Sequence, residues 1–162
     1  NDDYPNVPLL FNLLGACYNT LGQLDAAAQM FKNAFSIKPD YAEAYFNHGI
    51  VMRDLGQLDN AVESYKSAIG IIPNYPEAHN KLGITYIDLK EYDAAIEHFE
   101  WAVAYKHDFV EAYNNLGVAQ RENNQLQSAI KNFEKAISID SNYTLAQSNL
   151  SAIHERFGKK DG

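Results

Sequence analysis

EAYNNLG, residues 111–117, sets two asparagines and a glycine where the apolar spacing asks for a helix. Asn is a mediocre helix former, and Gly in a helix interior costs about 1 kcal/mol relative to Ala. Nearly the same phrase stands earlier as EAYFNHG (43–49) and EAHNKLG (77–83), each 34 residues from the next. A phrase that recurs at a fixed interval is a structural unit, so the repeat governs the reading of the whole chain.

The period divides the chain into units at 8–41, 42–75, 76–109 and 110–143. Counting places from 1 in each unit, place 8 is Gly15, Gly49, Gly83 and Gly117. Place 20 is Ala27, Ala61, Ala95 and Ala129, and place 27 is Ala34, Ala68, Ala102 and Ala136. Place 24 is Phe31, Tyr65, Phe99 and Phe133; place 34 is Tyr41, Tyr75, Phe109 and Tyr143. Small and large residues therefore alternate at constant positions.

This pattern resembles the tetratricopeptide repeat, whose 34-residue unit reads W-x2-L-G-x2-Y, then A-x3-F, then A and P. The resemblance covers 8–143 and continues in part to the end. Place 4 departs from it, holding Phe11, Tyr45, His79 and Tyr113 instead of Trp. The closing proline is kept as Pro39 and Pro73 but replaced by His107 and Ser141. The implied fold is all-α: an α-solenoid, a right-handed superhelix of antiparallel helix pairs.

Physical chemistry leads the same way. From Glu77 to Leu89 the apolar residues Ala78, Leu82, Ile84, Tyr86, Ile87 and Leu89 form a stripe at helical spacing. Lys90-Glu91-Tyr92-Asp93 interrupts it, and a second stripe of Ala95, Ile96, Phe99, Ala102 and Val103 follows. Asp93, with Asp25 and Asp59 at the same place, is expected to be an N-cap. Glycine at place 8 and alanine at places 20 and 27 let paired helices approach closely. No unit buries its own apolar face, so neighbours stack. Residues 1–7 align with the tail of a preceding unit, with Pro5 at the closing-proline place. Residues 144–162 read as a C-terminal capping helix or the first helix of a cut fifth repeat, with Gly158 at the place of the turn glycines Gly22 and Gly56. A segment cut from a longer protein is the expectation.

Composition narrows the function classes. A net charge of -8 supplies no field for phosphates or anionic membranes. No apolar run approaches a membrane span. The single cysteine, Cys17, excludes an internal disulfide, fits a reducing (cytoplasmic) compartment, and reads as buried filler in an apolar stretch. The five histidines, His48, His79, His98, His107 and His154, lack metal-site spacing; His48, His79 and His154 fall on core places. No phosphate loop, dinucleotide fingerprint or nucleophile elbow is present. The segment is read as no enzyme, with no cofactor and no metal. Trp101, at a place held elsewhere by Asn33, Ser67 and Lys135, should be exposed or lie flat over its neighbours.

In the repeat family the first helix of each pair lines the concave groove. Carried onto this chain, the groove residues are Asn12, Phe46, Asn80 and Asn114 at place 5; Asn47, Lys81, Asn115 and Asn149 at place 6; Ile50, Ile84 and Val118 at place 9; and Arg53 and Arg121 at place 12. That is an amide track over an aliphatic floor with a charged rim. Carboxamides both donate and accept, which suits a peptide main chain. Asn47, Asn115 and Asn149 resemble the asparagine ladder of O-linked N-acetylglucosamine transferases, interrupted here by Leu13 and Lys81. The carboxylate clamp of chaperone co-factors is missing, since its first two places hold Asn12 and Ala16. The expected function is a protein-interaction scaffold for an extended peptide or helix, the partner neutral to mildly basic. The alternative is a non-catalytic targeting or oligomerisation arm of a larger enzyme, such as a glycosyl- or sulfotransferase. Self-association through the end surfaces is a further expectation.

Overall fold

The computed structural model describes residues 6–158. Among the described residues the chain forms nine helices: α1 (Val7–Thr20), α2 (Leu24–Ile37), α3 (Ala42–Asp54), α4 (Leu58–Ile71), α5 (Pro76–Asp88), α6 (Tyr92–Tyr105), α7 (Val110–Glu122), α8 (Leu126–Ile139) and α9 (Thr144–Gly158). The starts of α2, α4, α6 and α8 are each 34 residues apart, as the repeat requires. Pro5 lies outside the described residues, as do residues 159–162.

Each unit is a pair of helices packed along their length: α1 on α2, α3 on α4, α5 on α6 and α7 on α8. The place-8 glycines are buried against the place-24 rings. A methyl group on Gly15, Gly49 or Gly83 would stand only 2.6 to 2.7 Å from a ring carbon of Phe31, Tyr65 or Phe99. The glycine therefore makes room for an aromatic ring rather than for a second backbone. The alanines at places 20 and 27, which flank the ring along the same helix, are fully buried. Units then stack through α2 on α3, α4 on α5, α6 on α7 and α8 on α9, giving the α-solenoid expected from the repeat.

The turn inside each pair follows one plan. The backbone at Gly22, Gly56, Lys90 and Asn124 adopts positive φ, between 60° and 74°. The next amide returns to the preceding helix, as in Gln57 N–H to the Met52 carbonyl at 2.8 Å and Glu91 N–H to the Tyr86 carbonyl at 2.8 Å. These are the bonds of a left-handed helix C-terminus. The expected caps are displaced. The N-cap residues of α2, α4 and α6 are Gln23, Gln57 and Glu91, none of whose side chains caps a helix amide. Asp25, Asp59 and Asp93 lie within the first turn, where a carboxylate complements the positive end of the helix dipole. The helix α9 runs to Gly158, so the turn expected there falls on the last described residue.

The curvature is set by which helices touch. The first helices of successive units meet, α1 with α3, α3 with α5, α5 with α7 and α7 with α9. The second helices of successive units do not meet among the described residues. Odd-numbered helices thus crowd the inner side and even-numbered helices splay outward. No helix of the described residues is long and apolar enough to cross a membrane.

Candidate peptide-binding groove

The inner face is organised by a relay of carboxamides. Asn12 on α1 donates from Nδ2 to Glu43 Oε1 at 3.1 Å and accepts at Oδ1 from Asn47 Nδ2 at 3.1 Å, both partners lying on α3. Two units later Asn80 repeats this with Glu111 and Asn115 on α7, again at 3.1 Å and 3.1 Å. Between α7 and α9, Asn114 Oδ1 accepts from Asn149 Nδ2 at 2.9 Å. There Leu145 occupies the glutamate's place, and Arg121 Nη1 donates to Asn149 Oδ1 at 3.1 Å.

The relay separates two kinds of asparagine that look alike in the sequence. Asn12, Asn80 and Asn114 are buried, at 3%, 1% and 5% exposure. Expected to face a ligand, they instead bridge neighbouring helices, because a carboxamide enclosed between two helices needs partners there. Asn47, Asn115 and Asn149 are half-buried. Each uses one N–H on the buried asparagine behind it. For Asn47 and Asn115 this leaves the carbonyl oxygen and the second N–H unused. Their amide planes are therefore held by the protein while each keeps hydrogen-bonding atoms free on a half-buried side chain.

The α3–α5 junction lacks this device. Phe46 holds the asparagine's place and packs on Tyr75, ring centroids 5.0 Å apart, and on Tyr65 at 5.9 Å. Burial, with Glu43 and Glu77 adding, pushes the Tyr75 phenol up to about 12. The polar link across this junction is Arg53 Nε to Asp88 Oδ2 at 2.9 Å. Lys81, at the ladder place of α5, makes no ion pair among the described residues. Ile50, Ile84 and Val118, the floor expected from the sequence, are each half-buried. Two further ion pairs engage the charges there: Glu77 with Lys106 at 3.3 Å, and Arg121 with Glu122 at 3.0 Å.

Residues outside the groove divide. His79 is buried; its Nε2–H donates to the Pro73 carbonyl at 3.0 Å, so its Nδ1 accepts from His98 Nδ1, 3.1 Å away. Burial lowers both imidazoles, His98 to about 4, with His79 itself opposing the second charge. His48 is half-buried and meets the Ser64 hydroxyl at 2.7 Å, whereas His154, expected in the core, is exposed. Trp101 is 47% exposed yet stacks on Tyr105, centroids 5.6 Å apart, so both expectations hold in part. Cys17, expected to be buried filler, is exposed, because no helix of the described residues packs on the outer side of α1. The relay has a sequence signal that groove places alone do not bring out: Asn12 and Asn80 precede a glutamate by 31 residues and an asparagine by 35.

Profiles of the repeat family match most of the chain: TPR repeat at residues 49–89 and 85–124, and tetratricopeptide repeat at 110–143 and at 10–41. Among solved structures, a crystal structure of MamA protein is 26% identical and superposes with a TM-score of 0.88, covering 96% of this chain and 85% of that one. A second crystal structure of MamA is 27% identical with a TM-score of 0.86, covering 91% and 86%. The first TPR of Spaghetti bound to the HSP90 peptide SRMEEVD is 23% identical with a TM-score of 0.70, covering 72% and 93%, a likeness of fold alone. No curated protein sequence matches the chain significantly.

Proposed function

From a chain that belongs to the tetratricopeptide repeat family, we propose a protein-interaction scaffold whose inner groove holds an extended peptide by its main chain. The observation that carries this reading is the division of labour among the asparagines. Buried Asn12, Asn80 and Asn114 orient Asn47, Asn115 and Asn149, whose amides keep free atoms. An oriented amide binds more tightly than a mobile one because its ordering entropy is already lost. Ile50, Ile84 and Val118 provide the apolar floor, and Phe46, Arg53, Lys81 and Arg121 distinguish one ligand from another.

In this reading α1 to α8 form four units, 8–41, 42–75, 76–109 and 110–143, and α9 closes the stack. The segment is assigned no catalysis. Its ligand is neutral to mildly basic, since the chain carries -8 and opposite charge speeds encounter. The Spaghetti repeat, similar in fold alone, is a protein bound to a peptide. That peptide's acidic sequence is not the one expected here, where Asn12 and Ala16 stand at the clamp places.

The experiment is a display selection of extended peptides on the full chain, followed by calorimetry with the best binder. Asn47→Ala with Asn115→Ala should weaken binding by about 2 kcal/mol together, near 1 kcal/mol for each lost bond, in a chain that stays folded but melts somewhat lower, since the buried Asn12 and Asn80 oxygens lose their donors. Full retention of affinity in the double variant would sink the reading.

A further inference from the structure

Four lysines of this chain stand over aromatic rings: Lys38 over Tyr41, Lys66 over Tyr86, Lys106 over Phe109 and Lys135 over Tyr113, at 4.7 to 5.9 Å from the ring centres. Trp101 has no such cation among the described residues. Yet indole is the strongest of the aromatic faces for a cation, and Trp101 is 47% exposed on α6. Its ring is held in place by Tyr105, stacked at 5.6 Å, and by His79 of α5 at 6.4 Å.

The charges around that ring are of one sign. Helix α6 carries Asp93, Glu97 and Glu100 and neither Lys nor Arg, whereas α2, α4 and α8 each carry at least one lysine. Place 25 shows the exchange: Lys32 and Lys66 stand there in the first two units, and Glu100 stands there beside Trp101. Glu97, Trp101 and Tyr105 follow at four-residue steps, with Glu100 three residues after Glu97, so carboxylates and rings share one helix face. Glu97 and Glu100 are exposed and make no ion pair among the described residues. Like charges at this spacing repel each other along the helix. The units before and after α6 are both present in the stack, and they leave this face uncovered.

We propose that this outer face of α6 is a second docking surface, which takes an arginine-bearing segment of a partner protein. The guanidinium lies on the Trp101 ring and its N–H groups reach the carboxylates of Glu97 and Glu100. Arginine fits because its flat cation both stacks on a ring and offers a fork of donors to a carboxylate, where lysine supplies only a point charge. A second copy of this chain fits poorly. It would set Glu97 and Glu100 against their own images, on a body that already carries -8. The surface belongs to a second helix of a pair, so it leaves the first-helix groove free, and the chain can hold two segments at once.

The single tryptophan of the chain is its own reporter. A short Gly-Arg repeat peptide added to the full chain should change the Trp101 emission saturably, at higher peptide concentration when sodium chloride is present. A Gly-Lys repeat peptide of equal length should bind more weakly. Glu97→Gln with Glu100→Gln should weaken the arginine peptide at least about fivefold. Trp101→Ala, followed by the anisotropy of a labelled peptide, should weaken it about fivefold. Both variants alter exposed side chains and should keep the circular dichroism of the wild type. Asn47→Ala with Asn115→Ala, which alters the groove, should bind the arginine peptide as the wild type does. No saturable change, equal affinity for the lysine peptide, or undiminished binding by the glutamine variant overturns the proposal. So does loss of binding in the groove variant, which would place the peptide inside the groove. An emission that shifts with protein concentration alone also overturns it and assigns the face to a second copy.

Discussion

Phe133 occupies the space a side chain on Gly117 would need: a methyl group there would stand 2.6 Å from the ring. The contact is between helices α7 and α8 of one unit, and its counterparts recur in the three earlier units. Gly117→Ala gains about 1 kcal/mol in helix propensity and loses roughly 1–3 kcal/mol to overpacking. The ring is fully buried and cannot retreat cheaply, so the variant should be net destabilised. Urea denaturation measures it, and Phe133→Leu in the same chain should recover much of the loss. Equal losses in single and double variants would show that the ring is not the obstacle.

Asn80 and Asn115 should respond to different degrees. Asn80→Leu removes the partner of Glu111 and Asn115 from a buried site, at a cost of about 1–3 kcal/mol in stability. Asn115→Ala takes the donor from the buried Asn80 Oδ1, at a cost of about 1 kcal/mol in stability, and also removes the free amide atoms, so it should weaken the groove's ligand. Thermal melts and binding isotherms on both variants separate the roles. A stable Asn80→Leu chain would show that the relay does not hold the stack.

Lys90 adopts φ of 61° at the place where Gly22 and Gly56 stand. A non-glycine residue in this left-handed region is strained by roughly 1–2 kcal/mol. Lys90→Gly should therefore stabilise the chain by about 1 kcal/mol after its own backbone entropy is counted, read as a rise in melting temperature. Asn124, at φ of 60°, should gain less from the same change, because Asn tolerates this region better.

The His79–His98 pair should make stability fall on acidification. Both folded pKa values are lowered, His98 to about 4. The unfolded chain therefore takes up protons near pH 6.5 before the folded chain does. Stability is full above the unfolded value and declines as pH falls towards the folded one. The groups facing the pair are Glu97, Lys66, Tyr86, Trp101, Tyr105 and the Pro73 carbonyl. Melting temperature against pH should drop between pH 6.5 and about 4. His98→Gln, which keeps a donor for His79, should flatten that drop. An unchanged profile in the variant would place the acid sensitivity elsewhere.

The repeat made the fold legible because five columns of fixed size leave one way to pack. Gly117 and Ala129 declare themselves close-contact residues by their columns alone, although what Gly117 admits is the Phe133 ring and not a backbone. The groove was legible only in outline. Asn114 and Asn115 look alike in sequence, but a step of about 100° around a helix buries one and leaves the other half-exposed. Lys90 hid its turn because nothing in a lysine announces positive φ. Cys17 defied its apolar neighbours because these imply burial only where another element arrives to cover them.

The absence of an amide relay between α3 and α5 makes that junction the compliant link of a spring. Three of the four inner joints are clasped by directional bonds at buried asparagines. The fourth relies on the non-directional packing of Phe46 on Tyr75 and on one exposed ion pair, worth about 0–1 kcal/mol. Bending or stretching the solenoid should concentrate strain there. Amide hydrogen exchange should then be faster in α3 and α5 where they face each other than across the clasped α5–α7 joint. Gripping a ligand across that link would change the pitch of the coil as well as fill its groove.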